Sequence, residues 1–328
     1  MKNKPIVIVA GEPNSIFLEI FFKSIKSKKF KNPIILICSL NILKLQMNKL
    51  KFKKEIKLIN FHKLNLTKLN NKVINLIDVK YNQKNAFEKI SKKSKNYIKK
   101  SFDVAFEIIK KGLSDKLING PISKKHFLDK KFLGITEYIA KNFSSKNKVM
   151  LIYNKKISVS PITTHLPIKT VSKNINKELI NKKIKIINNF YKNYFKYMPK
   201  IAVTGLNPHC ESNLKKNEDK QIIEPSIKKL RKQGLKIYGP YAADTIFLKK
   251  NRELFDVIIG MYHDQVLGPL KTLYEYDAIN ITLGLPFIRI SPDHGPNEKM
   301  LGKNKSNPLS LINAISFLDK NWLKQKKA

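Results

Sequence analysis

Short, nearly continuous apolar runs alternate along the chain with longer segments in which apolar residues recur at steps of three and four. The runs at 5–9, 33–38, 73–77, 116–118, 149–153, 157–163, 201–204, 257–260 and 278–282 have the length of buried strands. Strands covered on both faces need continuous rather than alternating apolarity, so these runs point to a largely parallel sheet between helices. The longest helical pattern covers about 85–111, where Ile98, Phe102, Ala105 and Ile109 make one apolar stripe. A second covers 175–198, with Ile180, Ile184, Ile187, Tyr191 and Tyr194 inward, and 308–327 reads as a closing helix. The Lys/Asn-rich patches at 23–31, 63–72 and 215–220 read as solvated faces and loops.

With 328 residues, 42% of them hydrophobic, the chain can bury the core of one large or two medium domains. No run approaches the roughly 18 apolar residues of a membrane span, and the apolar part of the first ten residues is too short for a signal peptide. A cytoplasmic protein with no membrane partner is therefore expected. Cys38 and Cys210 are the only cysteines, which leaves neither a disulfide framework nor a cysteine zinc site. The net charge is +41, from 65 basic and 24 acidic residues, a balance that in other chains signals nucleic acid. Here arginine, the residue that grips phosphates bidentately and reads bases, occurs only at Arg231, Arg252 and Arg289. Lysines are scattered with Asn and Ile through the whole chain, so the charge reads as compositional drift and no specific nucleic-acid partner is expected. Its field would still attract anionic substrates.

Candidate chemistry concentrates where strands end. His165 in Thr163-Thr-His-Leu-Pro167, His209 in Leu206-Asn-Pro-His209 and His263 in Met261-Tyr-His-Asp-Gln265 each follow a strand run, where a loop should begin. Loops after the carboxyl ends of parallel strands gather around one crevice, so the three imidazoles can converge on a divalent ion such as Zn, Co or Mn, with Mg a poorer match to nitrogen donors. Spacing alone carries no local metal signature. Asp264 and Asp244 could orient a ligand imidazole, and simple helix N-caps account for both equally well. The stretch 260–295 interleaves polar residues with Gly and Pro inside apolar sequence, which is costly unless the polar groups find partners or a ligand. Lys271, Asn280 and Arg289 stand out there. Arg289, flanked by Ile on both sides, should be partly buried and in need of an anion.

These motifs carry a resemblance. Gly11-Glu-Pro13, Asn119-Gly-Pro-Ile-Ser-Lys124, Gly134-Ile-Thr-Glu137, Thr163-Thr-His-Leu-Pro167, Gly205-Leu-Asn-Pro-His209, Gly239-Pro-Tyr-Ala-Ala-Asp-Thr245, Met261-Tyr-His-Asp-Gln265 and the segment from Asn280 to Arg289 occur in order over most of the length. The chain thereby resembles the 4-hydroxythreonine-4-phosphate dehydrogenases of pyridoxine biosynthesis. The resemblance implies an α/β fold of two α/β/α domains with a central mixed, largely parallel sheet, like isocitrate and isopropylmalate dehydrogenases. It places an N-terminal domain at 1–130, joined by a C-terminal helix at 306–328, and a metal- and substrate-binding domain at 131–305. It implies a divalent metal (Zn, Co or Mg) on His165, His209 and His263, substrate contacts from Thr136, Lys271, Asn280 and Arg289, and a catalytic set of Lys271, Asp264 and Asp244. The implied reaction is NAD-dependent oxidation of 4-phosphohydroxy-L-threonine to a 3-keto acid that decarboxylates, in a homodimer whose active site lies at the subunit interface. This family's NAD site lacks the glycine fingerprint, so the absence of Gly-x-Gly-x-x-Gly is no objection.

Three positions depart from the family pattern. Ile135 stands where a substrate-holding His is usual, leaving Lys124 or Lys125 as possible substitutes. Asn14-Ser-Ile-Phe17 replaces a run of small residues, and His294-Gly-Pro296 replaces His-Gly-Thr. They keep open a sister activity on phosphorylated threonate or erythronate, and a catalytically weakened paralogue.

Overall fold

The computed structural model describes residues 4–128, 132, 134–145, 147–211, 217–292 and 295–320. The chain forms two compact units, one within Met1–Lys146 and Leu285–Lys320, the other within Asn147–Gly284.

The first unit begins with β1 (Ile6–Val9), α1 (Phe17–Ser27), β2 (Ile34–Cys38), α2 (Leu40–Lys49), β3 (Ile56–Leu58), β4 (Ile74–Asp78), α3 (Lys95–Lys110), β5 (Lys116–Asn119) and α4 (Ile135–Asn142). The second unit contributes β6 (Val149–Tyr153), β7 (Ser158–Pro161), α5 (Val171–Asn174), α6 (Lys177–Phe190), β8 (Ile201–Thr204), α7 (Glu224–Lys232), β9 (Ile237–Tyr241), α8 (Lys249–Arg252), β10 (Val257–Gly260), α9 (His263–Tyr274) and β11 (Ile279–Leu283). The chain then returns to the first unit as β12 (Ile288–Pro292) and α10 (Leu309–Asp319).

In the first unit the strand order is β3-β4-β2-β1-β5-β12, and every pair is parallel. Every residue of β1 is fully buried, as the unbroken apolar run requires. The α3 stripe lies against this sheet: Ile98, Phe102 and Ala105 are fully buried and cluster with Val7, Ile35 and Leu117. Each such aliphatic or aromatic side chain contributes about 1.5–3 kcal/mol of apolar burial. In the second unit the order is β11-β6-β7-β10-β8-β9, with β6 antiparallel to both neighbours and the other pairs parallel. The expected α/β architecture with mixed, largely parallel sheets is thus present.

The unit boundaries fall elsewhere than the sequence placed them. The division at 130/131 moves to 146/147, and 285–305 joins the first unit. The reason is packing: Ile139 of α4 is fully buried in the α3 core, and β12 pairs with β5. Of the closing helix, Leu309–Asp319 is helical and the rest of 308–327 beyond Lys320 lies outside the described residues. The helix expected over 85–111 begins only at Lys95, because 83–88 is held in a loop by Asn14, whose Oδ1 accepts from Glu88 N and Gln83 Nε2. Asn176 caps α6 by accepting from Leu179 N, and beyond Phe190 the chain tightens into one π turn, Tyr191–Phe195. No lysine among the described residues is fully buried, and none of their helices is long and apolar enough to cross a membrane.

Candidate functional site

In the second unit β7, β10 and β8 lie side by side and parallel, so their carboxyl ends point the same way. The loops leaving them carry His165, His263 and His209 respectively. The rings of His165 and His263 are 5.6 Å apart between centroids, tilted by 35°, at a cavity of about 260 Å³ that Thr163, Tyr262 and Asp264 also line. His263 opens α9, and its Nδ1 lies 2.6 Å from Oδ1 of Asp264. That contact fixes the imidazole orientation and leaves Nε2 for another partner. Thr163 ties two of the loops together, since its N–H (3.0 Å) and its hydroxyl (2.7 Å) both donate to the carbonyl of Met261.

His209 is exposed on a short 3-10 turn, Pro208–Cys210. Its φ of 56° and that of His165 at 54° are left-handed, a conformation that costs a non-glycine residue about 1–2 kcal/mol. Asp244 lies in the loop after β9. Burial raises the pKa of Cys210, next to His209; a backbone hydrogen bond from Gly205 opposes this, and the charges of Asp219, Asp244 and Glu211 add to it. Asp264 therefore sits by His263, and the charge of Asp244 is felt at Cys210. The structure brings His165, His263 and Asp264 together, while among the described residues no three His, Cys, Asp or Glu side chains are gathered closely enough to hold a metal ion. The donor chemistry of the three loops nonetheless suits a divalent ion of the zinc or cobalt type. Lys271 is exposed on α9 and Asn280 half-buried on β11.

The other candidates lie in the first unit. Arg289 is only 1% exposed on β12. Its Nε donates to Asn119 Oδ1 (2.7 Å), Nη1 to Thr136 Oγ1 (3.1 Å) and Nη2 to Ser291 Oγ (3.2 Å). Burial pushes its pKa down to about 10, against the opposing charge of Glu137. Thr136 stands in the first turn of α4, whose N-cap Gly134 offers no side-chain acceptor. The start of α4 thus sets a hydroxyl and a buried guanidinium side by side. Glu137, in the same turn, carries a charge that would repel an anion. The sequence reading assigned neither Asn119 nor Ser291; a polar residue closing the apolar run of β5 was the available signal.

The departures acquire physical meanings. Ile135 packs partly buried against the α3 core and can donate nothing to a ligand. The bulk at 14–17 goes inward: Phe17 is 1% exposed and lies against Gly120, where a Cβ would come within 2.8 Å of its ring. Lys124 and Lys125 are exposed. In the third motif, Asp293 and His294 lie outside the described residues.

The profile of a family described as "Pyridoxal phosphate biosynthetic protein PdxA" matches residues 18–318. A 4-hydroxythreonine-4-phosphate dehydrogenase of Sulfurihydrogenibium sp. is 38% identical over 95% of this chain and 96% of its own. Another, of Wigglesworthia glossinidia brevipalpis, is 35% identical over 95% of each. A crystal structure of 4-hydroxythreonine-4-phosphate dehydrogenase from Klebsiella pneumoniae superposes with a TM-score of 0.84 at 27% identity, covering 97% of both chains.

Proposed function

The chain belongs to the PdxA family of pyridoxal phosphate biosynthetic proteins, and from that premise we propose that it is an NAD-dependent dehydrogenase that oxidises 4-phosphohydroxy-L-threonine. The product, a 3-keto acid, loses carbon dioxide to give 3-amino-2-oxopropyl phosphate. The observation that carries the reading is the meeting of His165 and His263 at the carboxyl ends of adjacent parallel strands, with His209 on the loop of the next strand.

In this reading His165, His209 and His263 hold a divalent ion. Bound there, such an ion would supply Lewis acidity towards a hydroxyl and a carboxylate, and a bound nicotinamide would supply a hydride acceptor. The chain's own residues bind and orient. Asp264 holds Nδ1 of His263, so that Nε2 stays available. Arg289 and Thr136 are the residues we assign to phosphate, and Lys271 and Asn280 those we assign to polar groups of a substrate, with Lys271 Nζ as the group to hold or move a proton. Asp244 steadies the His209 side. The working form is taken to be a homodimer in the cytoplasm, a state that sedimentation of the purified protein would check.

The test is NADH formation by purified, metal-loaded protein, repeated with His209→Ala. Turnover of neither the named compound nor any stereoisomer sinks the proposal. A second substrate class, phosphorylated threonate or erythronate, is favoured by one observation: Ile135 is turned into the core and leaves the start of α4 one donor short. Kinetics on both substrates side by side decide between them.

A further inference from the structure

The turn that carries His209 is gripped from two sides by residues with no assigned role. On one side is Asp219, fully buried. Its Oδ1 accepts from Leu206 N (2.7 Å), and its Oδ2 from Asn207 N (3.2 Å) and Asn207 Nδ2 (2.7 Å). On the other is Gln265 of α9. Its Oε1 accepts from Thr204 Oγ1 (2.9 Å) and Met261 N (2.7 Å), while its Nε2 donates to Gly205 O (2.8 Å). A single amide thus bridges the end of β8 to the end of β10. The fit is tight: a Cβ on Gly205 would lie 2.7 Å from Asp219 Oδ1 and 2.8 Å from Cys210 Sγ.

Two arguments give this clamp a purpose. First, His209 and Cys210 are consecutive left-handed residues, with φ of 56° and 61°. Such conformations persist only where the surroundings over-determine them. Second, Asp219 makes no ion pair among the described residues. A buried carboxylate is costly, and an apolar residue would serve plain packing better. Three N–H donors converge on it, however. Asparagine would turn an NH₂ towards donors and leave them unsatisfied, so only the carboxylate completes the turn.

We infer that Asp219 and Gln265 are positioning residues that clamp the His209 turn in register with the His165–His263 pair. Their value for metal binding rests on the reading proposed above. The test uses the full chain and Co²⁺ as the probe, with its visible absorption as the signature and amide hydrogen exchange of the metal-free protein as an independent readout. Asp219→Asn and Gln265→Leu should each weaken Co²⁺ binding about 10–100-fold and speed exchange at Leu206 and Asn207. Thr204→Ser, which keeps the hydroxyl, should stay near wild type, whereas Thr204→Val should follow Gln265→Leu. Wild-type affinity together with wild-type exchange in both main variants overturns the clamp. If the wild type itself binds no Co²⁺, the metal reading falls, and the exchange arm still decides the clamp. If Asp219→Asn does not fold, Gln265→Leu carries the same expectation; if neither folds, the residues hold the whole unit together and the inference fails.

Discussion

Replacing Arg289 by methionine separates an anion-binding role from a structural one. The fall of its pKa to about 10, chiefly through burial and against the charge of Glu137, corresponds at about 1.4 kcal/mol per pH unit to a net penalty of about 3 kcal/mol. The folded value lies below the unfolded one, so the unfolded chain binds more protons between them. Stability should therefore rise as pH climbs from about 10 towards the ordinary guanidinium value, and at neutral pH the whole penalty is present. R289M removes it. Against that gain, Asn119, 1% exposed, loses the donor at its Oδ1, which costs about 1–3 kcal/mol. The hydroxyls of Thr136 and Ser291 are half-buried and can turn to water. The terms nearly cancel, so urea unfolding in phosphate-free buffer should place R289M within about 2 kcal/mol of wild type, whereas breaking a structural buried pair costs about 3–5 kcal/mol. Inorganic phosphate at about one hundred times its Kd should stabilise the wild type by about 2.7 kcal/mol and R289M by nothing measurable. A variant that loses more than about 3 kcal/mol without phosphate, yet keeps the phosphate gain, would refute the reasoning.

Other substitutions probe the second unit. Asp264→Asn should weaken Co²⁺ binding about 10–100-fold, since the group orienting His263 becomes a poorer acceptor; an unchanged titration would remove Asp264 from the site. Lys183, whose Nζ donates to Ile162 O at 2.6 Å, is held down to about 8, chiefly by burial and then by Lys148. The unfolded chain therefore binds more protons between about 8 and 10.5, and stability rises with pH across that window. Lys183→Met should flatten the rise in a series of urea curves and gain stability at neutral pH. Gly284, with φ of 85°, would bring a Cβ to 1.8 Å from the carbonyl of Asn147. Gly284→Ala should cost several kcal/mol, on the order of the largest single-site losses, and lower the melting temperature accordingly.

Much of this was legible because parallel strands announce themselves. The runs at 201–204 and 257–260 coincide with the parallel strands β8 and β10, every residue of which is buried. The strands that escaped carry other constraints. β3 is three residues long and largely outside the core, β9 reads Ile-Tyr-Gly-Pro-Tyr and looks like a loop, and β12 has Arg289 at its second position. At the site, the histidine loops could be found from their place after strands. What fixes them could not: Asp219 serves a turn some twelve residues earlier in the chain, and Gln265 links strands distant in sequence. Arg289 was recognisable as buried, but not that Asn119, Thr136 and Ser291 would surround it.

The exclusion of lysine from the buried positions has a consequence for how this protein can be altered. Lysine has accumulated mostly where its ammonium keeps water, Lys116 and Lys183 being partly buried exceptions, so the exterior behaves as a free variable while, among the described residues, the interior retains Glu12, Glu19, Asp219 and Arg289 as its buried carboxyl and guanidinium groups. Exchange of exposed lysines for glutamate, Lys271 excepted, would invert the molecule's electrophoretic behaviour and leave both interiors untouched. Reversing the charge at any of those four positions would be felt throughout its unit.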